Sequence, residues 1–140
     1  MTAAEARARF AAARVARLAT ASRDGRPHLV PFTFALLGDA TIVSAVDAKP
    51  KRTTALRRLA NIAANPSVAA LVDHYSDDWD ELWWVRVEGT ARVIGTDQDP
   101  ALRGEALNAL SARYQPYREQ APAGALIVIS VERWSGWSAA

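Results

Sequence analysis

Two turn dipeptides, Asp24-Gly25 and Gly38-Asp39, interrupt an otherwise apolar part of the chain. They separate three segments, at residues 15–21, 26–37 and 40–46, whose composition is typical of β-strands. An Asp-Gly pair readily supplies the positive φ that a tight hairpin needs. The spacing therefore predicts an antiparallel meander of three strands, with a hairpin at each dipeptide.

The second of these segments contains two prolines, Pro27 and Pro31. Proline has no backbone N–H to donate to a neighbouring strand, so it is confined to edge strands and bulges. We therefore expect the strand over residues 26–37 to lie at an edge of the sheet or to be bulged at both prolines.

Helices are predicted at residues 2–13, 53–64 and 99–113. The first begins with a capping-box pair, Thr2 and Glu5. The second has Thr53 or Thr54 in position to cap its start, and Asn65-Pro66 ends it. Helical periodicity predicts its buried stripe as Leu56, Leu59, Ala60 and Ala63.

Three further strands are predicted, at residues 67–73, 82–95 and 124–133. Gly89 lies inside the longest of them and indicates a bulge or bend. Residues 114–123 are interpreted as a polar connection and the final WSGWSAA as a tail. Six strands with inserted helices in 140 residues predict one domain over residues 1–140, mainly β (α+β), forming a closed or nearly closed antiparallel barrel.

The composition excludes several classes of site. The chain has no cysteine, which removes disulfides, thiolate metal sites and cysteine nucleophiles. Its two histidines, His28 and His74, lie far apart in the sequence, and the acidic residues of 73–81 lack calcium-loop spacing. We therefore expect no metal site.

With no apolar run of membrane-spanning length and no signal-peptide pattern, we expect a soluble, cytoplasmic protein without a membrane partner.

The net charge is only +2, but it is unevenly distributed. Residues 1–70 contain 11 Lys/Arg and 4 Asp/Glu, whereas residues 71–140 contain 6 and 11. Both lysines of the chain, Lys49 and Lys51, lie in the segment DAKPKR at residues 47–52, directly before a predicted helix. Because helix N-termini attract anions, this segment predicts a phosphate or carboxylate site; a solvated basic loop is the alternative.

Tryptophans form a second feature. Trp83 and Trp84 are adjacent in a predicted strand, so their side chains should point to opposite faces of the sheet. Trp79, Trp134 and Trp137 lie near the ends of predicted elements. Core packing explains some of the five tryptophans, and a planar aromatic ligand or a subunit interface is the alternative for the others.

The basic residues and the tryptophans occupy different halves of the chain. Proteins that bind single-stranded nucleic acid instead interleave the two, so we expect no nucleic-acid partner.

No hydrolase or nucleotide motif is present, since the sequence lacks a nucleophile elbow, a dinucleotide fingerprint and a P-loop. Instead, the hairpin RLATASRDGRPHLVP, the basic segment followed by NIAANPSV, and the terminal WSGW resemble the pyridoxamine-5′-phosphate-oxidase-like split β-barrel superfamily. The resemblance extends from about Arg14 to the end. Within that superfamily the chain is similar to the deazaflavin (coenzyme F420)-dependent oxidoreductases of actinobacteria.

This resemblance implies a six-stranded antiparallel split β-barrel with peripheral helices, and a homodimer with cofactor at the subunit interface. It places the cofactor phosphate on Lys49, Lys51, Arg52, Thr53 and Arg58. It places the ring system along Val30, Pro31, Phe32, Thr33 and Ser44. Candidates to line the substrate face are Tyr75, Trp79, Trp84 and Trp137.

The implied activity is hydride transfer between the reduced deazaflavin and a small electrophilic or conjugated substrate, with the chemistry supplied by the cofactor and no side chain assigned as catalytic. FMN is the alternative cofactor, because it also combines a phosphate with a tricyclic ring. Haem or biliverdin handling is a further alternative, and His28 is the available axial ligand for haem. A cofactor carrier without turnover is the non-enzymatic alternative.

Overall fold

The structure is a computed structural model that describes residues 1–46 and 53–140, with side chains from residue 57 onward in the second range. Lys49, Lys51 and Arg52 lie outside the described residues. The helices are α1 (Ala3–Ala12), α2 (Thr53–Ala64), α3 (Pro100–Arg113) and α4 (Gln115–Glu119), with a 3-10 turn at Trp79–Glu81. The strands are β1 (Ala16–Ala21), β2 (Pro27–Phe32), β3 (Ala35–Leu37), β4 (Thr41–Ala45), β5 (Ser67–His74), β6 (Trp83–Ile94) and β7 (Leu126–Ser138).

In the described part of the chain the strands form one antiparallel sheet, in the order β2-β1-β5-β6-β7-β4-β3. β2 and β3 are its opposite edges, yet only Thr33 and Phe34 separate them along the chain. Two residues cannot cross a flat sheet of seven strands spaced about 4.8 Å apart, so the sheet must curl until its edges approach each other. The predicted antiparallel barrel is confirmed, and it is split between β2 and β3.

The single strand predicted over residues 26–37 is wrong, because β2 ends at Phe32 and β3 begins at Ala35. Side chains bind the backbone of the two intervening residues. The Ser44 hydroxyl donates to the Thr33 carbonyl oxygen at 2.7 Å, and the Phe34 N–H donates to the Tyr114 hydroxyl at 3.2 Å. The described sheet consequently has seven strands rather than the six predicted, within the same fold class.

Both turn predictions at the start of the chain are confirmed. Gly25 and Gly38 have φ of 87° and 63°, the left-handed region in which glycine carries no steric cost. β2, which contains Pro27 and Pro31, is an edge strand, as the missing proline N–H groups predict.

The C-terminal residues predicted as a tail belong to the sheet. β7 continues to Ser138 and pairs with β6, with Trp137 opposite Trp84. Trp134 packs against the barrel core, and its indole N–H donates to the Asp39 carbonyl oxygen at 3.1 Å. The register between β6 and β7 shifts by one residue at Gly89, which confirms the irregularity predicted there.

In the part of the chain that the structure describes, two clusters of buried apolar residues stabilise the barrel. Inside it, Phe10 of α1 is fully buried, with its ring centroid 4.7 Å from that of Phe34. The Thr2–Glu5 capping box of α1 is formed as predicted. On the other side of β3 and β4, Leu110 and Tyr114 of α3 and the turn after it form the second core. The split in the barrel is therefore flanked by packed helices.

α2 has the predicted bounds, but its buried face matches the predicted stripe only in part, and the side chain of Leu56 lies outside the described residues. Ile62 and Asn61 are buried, Leu59 is partly buried, and Ala60 and Ala63 are exposed. The Asn61 amide donates to the Thr20 hydroxyl of β1 at 3.1 Å, which fixes the rotation of the helix. Alanine contributes too little apolar area to outweigh an isoleucine and this buried hydrogen bond.

Within residues 1–46 and 53–140, no helix is both long enough and apolar enough to cross a membrane.

Candidate functional site

A groove of about 830 Å³ opens at the split of the barrel. This volume lies within the range of small-molecule and cofactor sites. One wall consists of the corner between β2 and β3 and the end of β4, and the other consists of α4 and the segment after it. The lining residues, which define the Arg58 groove, are Val15, Pro31, Phe32, Thr33, Ser44, Ala45, Val46, Arg58, Tyr117, Gln120, Ala121, Pro122 and Ala123.

Five residues that the sequence assigned to a cofactor meet in this groove: Pro31, Phe32, Thr33, Ser44 and Arg58. They come from β2, the corner after it, β4 and α2, so strand pairing across the split brings them together. Their assigned roles stay predictions.

The remaining assigned cofactor residues do not line the described groove. Val30 is only 8% exposed and belongs to the barrel core, because it alternates with the outward-facing Leu29 and Pro31. α2 begins at Thr53, but the side chain of Thr53 lies outside the described residues, like the segment at residues 47–52.

Ser44 holds the corner of the groove in place. It is 1% exposed, and its hydroxyl proton is committed to the Thr33 carbonyl oxygen. Its oxygen therefore retains acceptor capacity toward the groove, whereas donation to a ligand would require breaking the 2.7 Å bond. The local role of Ser44 is to fix the backbone against which a ligand would lie.

Arg58 is the charged group among the described residues that line the groove. It is partly buried, and burial lowers the pKa of its guanidinium below the ordinary value, an effect that the nearby Tyr117 partly offsets. Arginine still remains protonated at any physiological pH. Among the described residues, its buried Nε has no hydrogen-bond partner and no carboxylate forms an ion pair with it. A desolvated cation without an anion favours an anionic ligand.

Sequence reasoning missed the second wall of this groove, at Tyr117 and residues 120–123. Residues 114–123 were interpreted as a polar connection, but Pro116 is in the first turn of the short helix α4. A proline in that position, with tyrosines at 114 and 117, is a signal that could have identified the helix.

A second, smaller groove of about 330 Å³ lies on the outer face of β5 and β6. Its lining residues, which define the Trp84 groove, are Leu71, Asp73, Tyr75, Trp84 and Arg86. Trp84 and Tyr75 are two of the four residues assigned to the substrate face. Trp137 is their neighbour on β7, whereas Trp79 is 77% exposed and lines neither groove.

The two tryptophans at 83 and 84 face opposite sides of the sheet, as predicted. Trp83 packs against the barrel core and Trp84 lines the outer groove. Within a single chain, however, the candidates for the substrate face do not line the Arg58 groove. The sequence could not show this, since the spacing of residues along the chain does not fix which of them line the same groove of the folded barrel.

His28 lies on β2 opposite Thr20 of β1 and lines neither groove. His74 stacks on Trp83 and lies 3.8 Å from a carboxylate oxygen of Glu81. In the described ranges, no group of three or more His, Asp or Glu side chains could hold a metal ion.

Solved structures similar to this chain share the barrel. A conserved hypothetical protein from Mycobacterium tuberculosis is 24% identical, with a TM-score of 0.77 and coverage of 99% of this chain and 86% of that one. An FAD-binding protein from Mesorhizobium loti is 23% identical, with a TM-score of 0.73 and coverage of 97% and 94%. HutZ, a haem storage protein from Vibrio cholerae, is 15% identical, with a TM-score of 0.67 and coverage of 96% and 90%. No curated protein matches the chain.

A seven-stranded antiparallel barrel with a ligand-sized groove at its split defines the class as a split β-barrel of the pyridoxamine-5′-phosphate-oxidase-like fold. The family model for pyridoxamine 5′-phosphate oxidase matches residues 2–138, and the chain belongs to that family.

Proposed function

We propose that this protein is an oxidoreductase that binds a flavin-type cofactor in the Arg58 groove and transfers hydride to or from a small electrophilic or conjugated substrate. The observation that carries the proposal is the partly buried guanidinium of Arg58, which has no anionic partner among the described residues and opens on a groove of cofactor size. An anionic phosphate is the ligand group that this environment favours.

The described residues fit such a cofactor. Pro31 offers apolar contact to a planar ring, and the ordered backbone at Thr33 and Ser44 offers polar groups beside it. Arg58 would bind the phosphate. We propose that Lys49, Lys51, Arg52 and Thr53 complete the phosphate site.

When bound, a reduced flavin or deazaflavin supplies a hydride to an electron-poor substrate. The side chains of this protein would hold the ring against β2, fix the phosphate, and exclude water from the groove. We assign no side chain as a catalytic acid or base.

We propose coenzyme F420 as the cofactor, because the segments that resemble the actinobacterial deazaflavin oxidoreductases span most of the chain. FMN is the second candidate, and a specific observation favours a flavin: two similar structures, from Mesorhizobium loti and Mycobacterium smegmatis, are of proteins named as FAD-binding.

We also propose a homodimer formed through the outer face of the sheet. Leu29, Leu71 and Trp137 are 67%, 36% and 43% exposed on this face, and Trp84 lies beside them. Exposed apolar side chains grouped on one face are typical of an interface. A second copy seated there would cover the Trp84 groove, whose aromatic residues we propose face the substrate. The mass in solution is expected to be twice the 15.2 kDa of one chain, and a monomeric mass would contradict the homodimer.

The proposed phosphate site predicts the effect of two substitutions. Lys51→Ala and Arg52→Ala should each weaken cofactor affinity about tenfold, since each removes a charge-assisted contact, without changing thermal stability. Fluorescence titration with coenzyme F420 and with FMN measures the affinity. Arg23→Ala, in the exposed first hairpin, is the matched control and should bind as the wild type does. Unchanged affinity in both variants would rule out a phosphate site in this segment.

A further inference from the structure

The phenol of Tyr117 projects from α4 into the Arg58 groove. Its oxygen lies 2.9 Å from the Thr33 hydroxyl, and either group can donate. Tyr117 is also near enough to Arg58 to influence its guanidinium. It therefore lies between the corner proposed to contact a ring and the cation proposed to contact a phosphate.

Contacts away from the phenol fix α4 in place. The Ser111 hydroxyl donates to the Tyr117 carbonyl oxygen at 3.3 Å, and Arg118 donates to the Ser111 and Ala112 carbonyl oxygens at 3.0 and 3.2 Å. One turn earlier, Tyr114 is bonded to the backbone of Phe34. The position of Tyr117 thus does not depend on its own hydroxyl.

The bond between Tyr117 and Thr33 is easily exchanged. A neutral bond between two hydroxyls contributes little net stability, because water or a ligand can replace either partner. Both groups are only partly buried and line the groove. A ligand oxygen in the groove can therefore take the place of Thr33 as the acceptor of the Tyr117 proton.

We propose that Tyr117 is a specificity-determining residue, which donates a hydrogen bond to the hydroxylated chain that joins the ring of a flavin-type ligand to its phosphate. This inference rests on the proposed function, and it adds a residue from a wall that the sequence did not reveal. It follows from the two neighbours of Tyr117 in the groove: the Thr33 hydroxyl, 2.9 Å from the phenol oxygen, and the guanidinium of Arg58.

The test compares ligands with and without that chain. Wild type, Tyr117→Phe and a control, Thr90→Val, are titrated with FMN, with coenzyme F420, and with the ring-only analogues lumiflavin and its 5-deaza counterpart. Thr90 is exposed on β6 outside both grooves, and its substitution also removes one hydroxyl. Melting temperatures of the three proteins are recorded alongside the affinities.

We expect Tyr117→Phe to lose about two- to tenfold in affinity for the cofactor that the wild type binds, and less than twofold for the ring-only analogue. Thr90→Val should bind all ligands as the wild type does. An equal loss for both ligands would indicate a structural role and overturn the inference, as would unchanged cofactor affinity. If the wild type binds neither FMN nor coenzyme F420, the proposed function itself fails and the inference fails with it.

Discussion

Arg58→Met is expected to lower the affinity for a flavin-type cofactor by about ten- to hundredfold, which is the effect of losing a hydrogen-bonded charge. Methionine retains an apolar stem of similar length, so the packing of α2 should survive. Because Arg58 is desolvated and has no anion among the described residues, its removal should leave thermal stability unchanged or raise it. If the role of Arg58 were only structural, the substitution would instead lower thermal stability and leave cofactor affinity unchanged.

The chain offers a close control for this substitution. Arg57 is adjacent on the same helix but exposed, so Arg57→Met changes the net charge equally without touching the groove. Isothermal titration and thermal melting of both variants separate binding from folding. Equal losses of affinity in the two variants would mean that cofactor binding depends only on the overall charge of the protein. That result would rule out an anion site at Arg58.

Gly89→Ala is expected to lower the free energy of unfolding by about 3 kcal/mol, the upper end of the usual cost of overpacking. A Cβ at Gly89 would clash with the Ser130 carbonyl oxygen and lie 3.2 Å from the Val131 Cα. Both are backbone atoms of β7, so no side-chain rotation can relieve the contact. The strain would fall where β6 and β7, the two longest strands, bend around the barrel.

The extra residue at this bend belongs to β7. Glu88 pairs with Arg133 and Gly89 pairs with Val131, which leaves Glu132 without a partner. Such a bulge bends a strand and lets a sheet curl. The matched control is Gly104→Ala in α3, where a Cβ would meet no atom within 4 Å. It should raise stability by about 1 kcal/mol, as alanine replaces glycine within a helix. Chemical denaturation of both variants provides the measurement, and a Gly89→Ala protein as stable as wild type would contradict the geometry.

Glycine and proline positions in the sequence correctly predicted the turns and the edge strand, because these features depend on the backbone of one or two residues. Gly25 adopts the positive φ predicted for its turn, and Pro27 and Pro31 lie on an edge strand. The break between β2 and β3 could not be predicted in this way. It depends on the hydrogen bond that Ser44 donates to Thr33 and on the Tyr114 hydroxyl, which accepts from the Phe34 N–H and lies 80 residues beyond it in the chain. Only the folded barrel brings those partners to residues 33 and 34.

The same distinction applies to the candidate site. The assignment of Pro31, Thr33, Ser44 and Arg58 rests on a resemblance, and the structure brings these residues to one groove. Tyr117 was missed because the composition of residues 114–123 indicated only a polar connection. Its place in the groove results from the packing of α3 and α4 against the barrel edge, a tertiary contact that no periodicity encodes.

The most direct test of the account is an equilibrium titration of the purified wild-type protein with coenzyme F420 and with FMN, followed by cofactor and tryptophan fluorescence. We expect saturable binding that is selective for coenzyme F420 and is weakened by Arg58→Met. Preferential binding of FMN would keep the groove and the fold but replace the proposed cofactor. Absence of saturable binding to both would contradict the claim that this barrel is a flavin-type oxidoreductase.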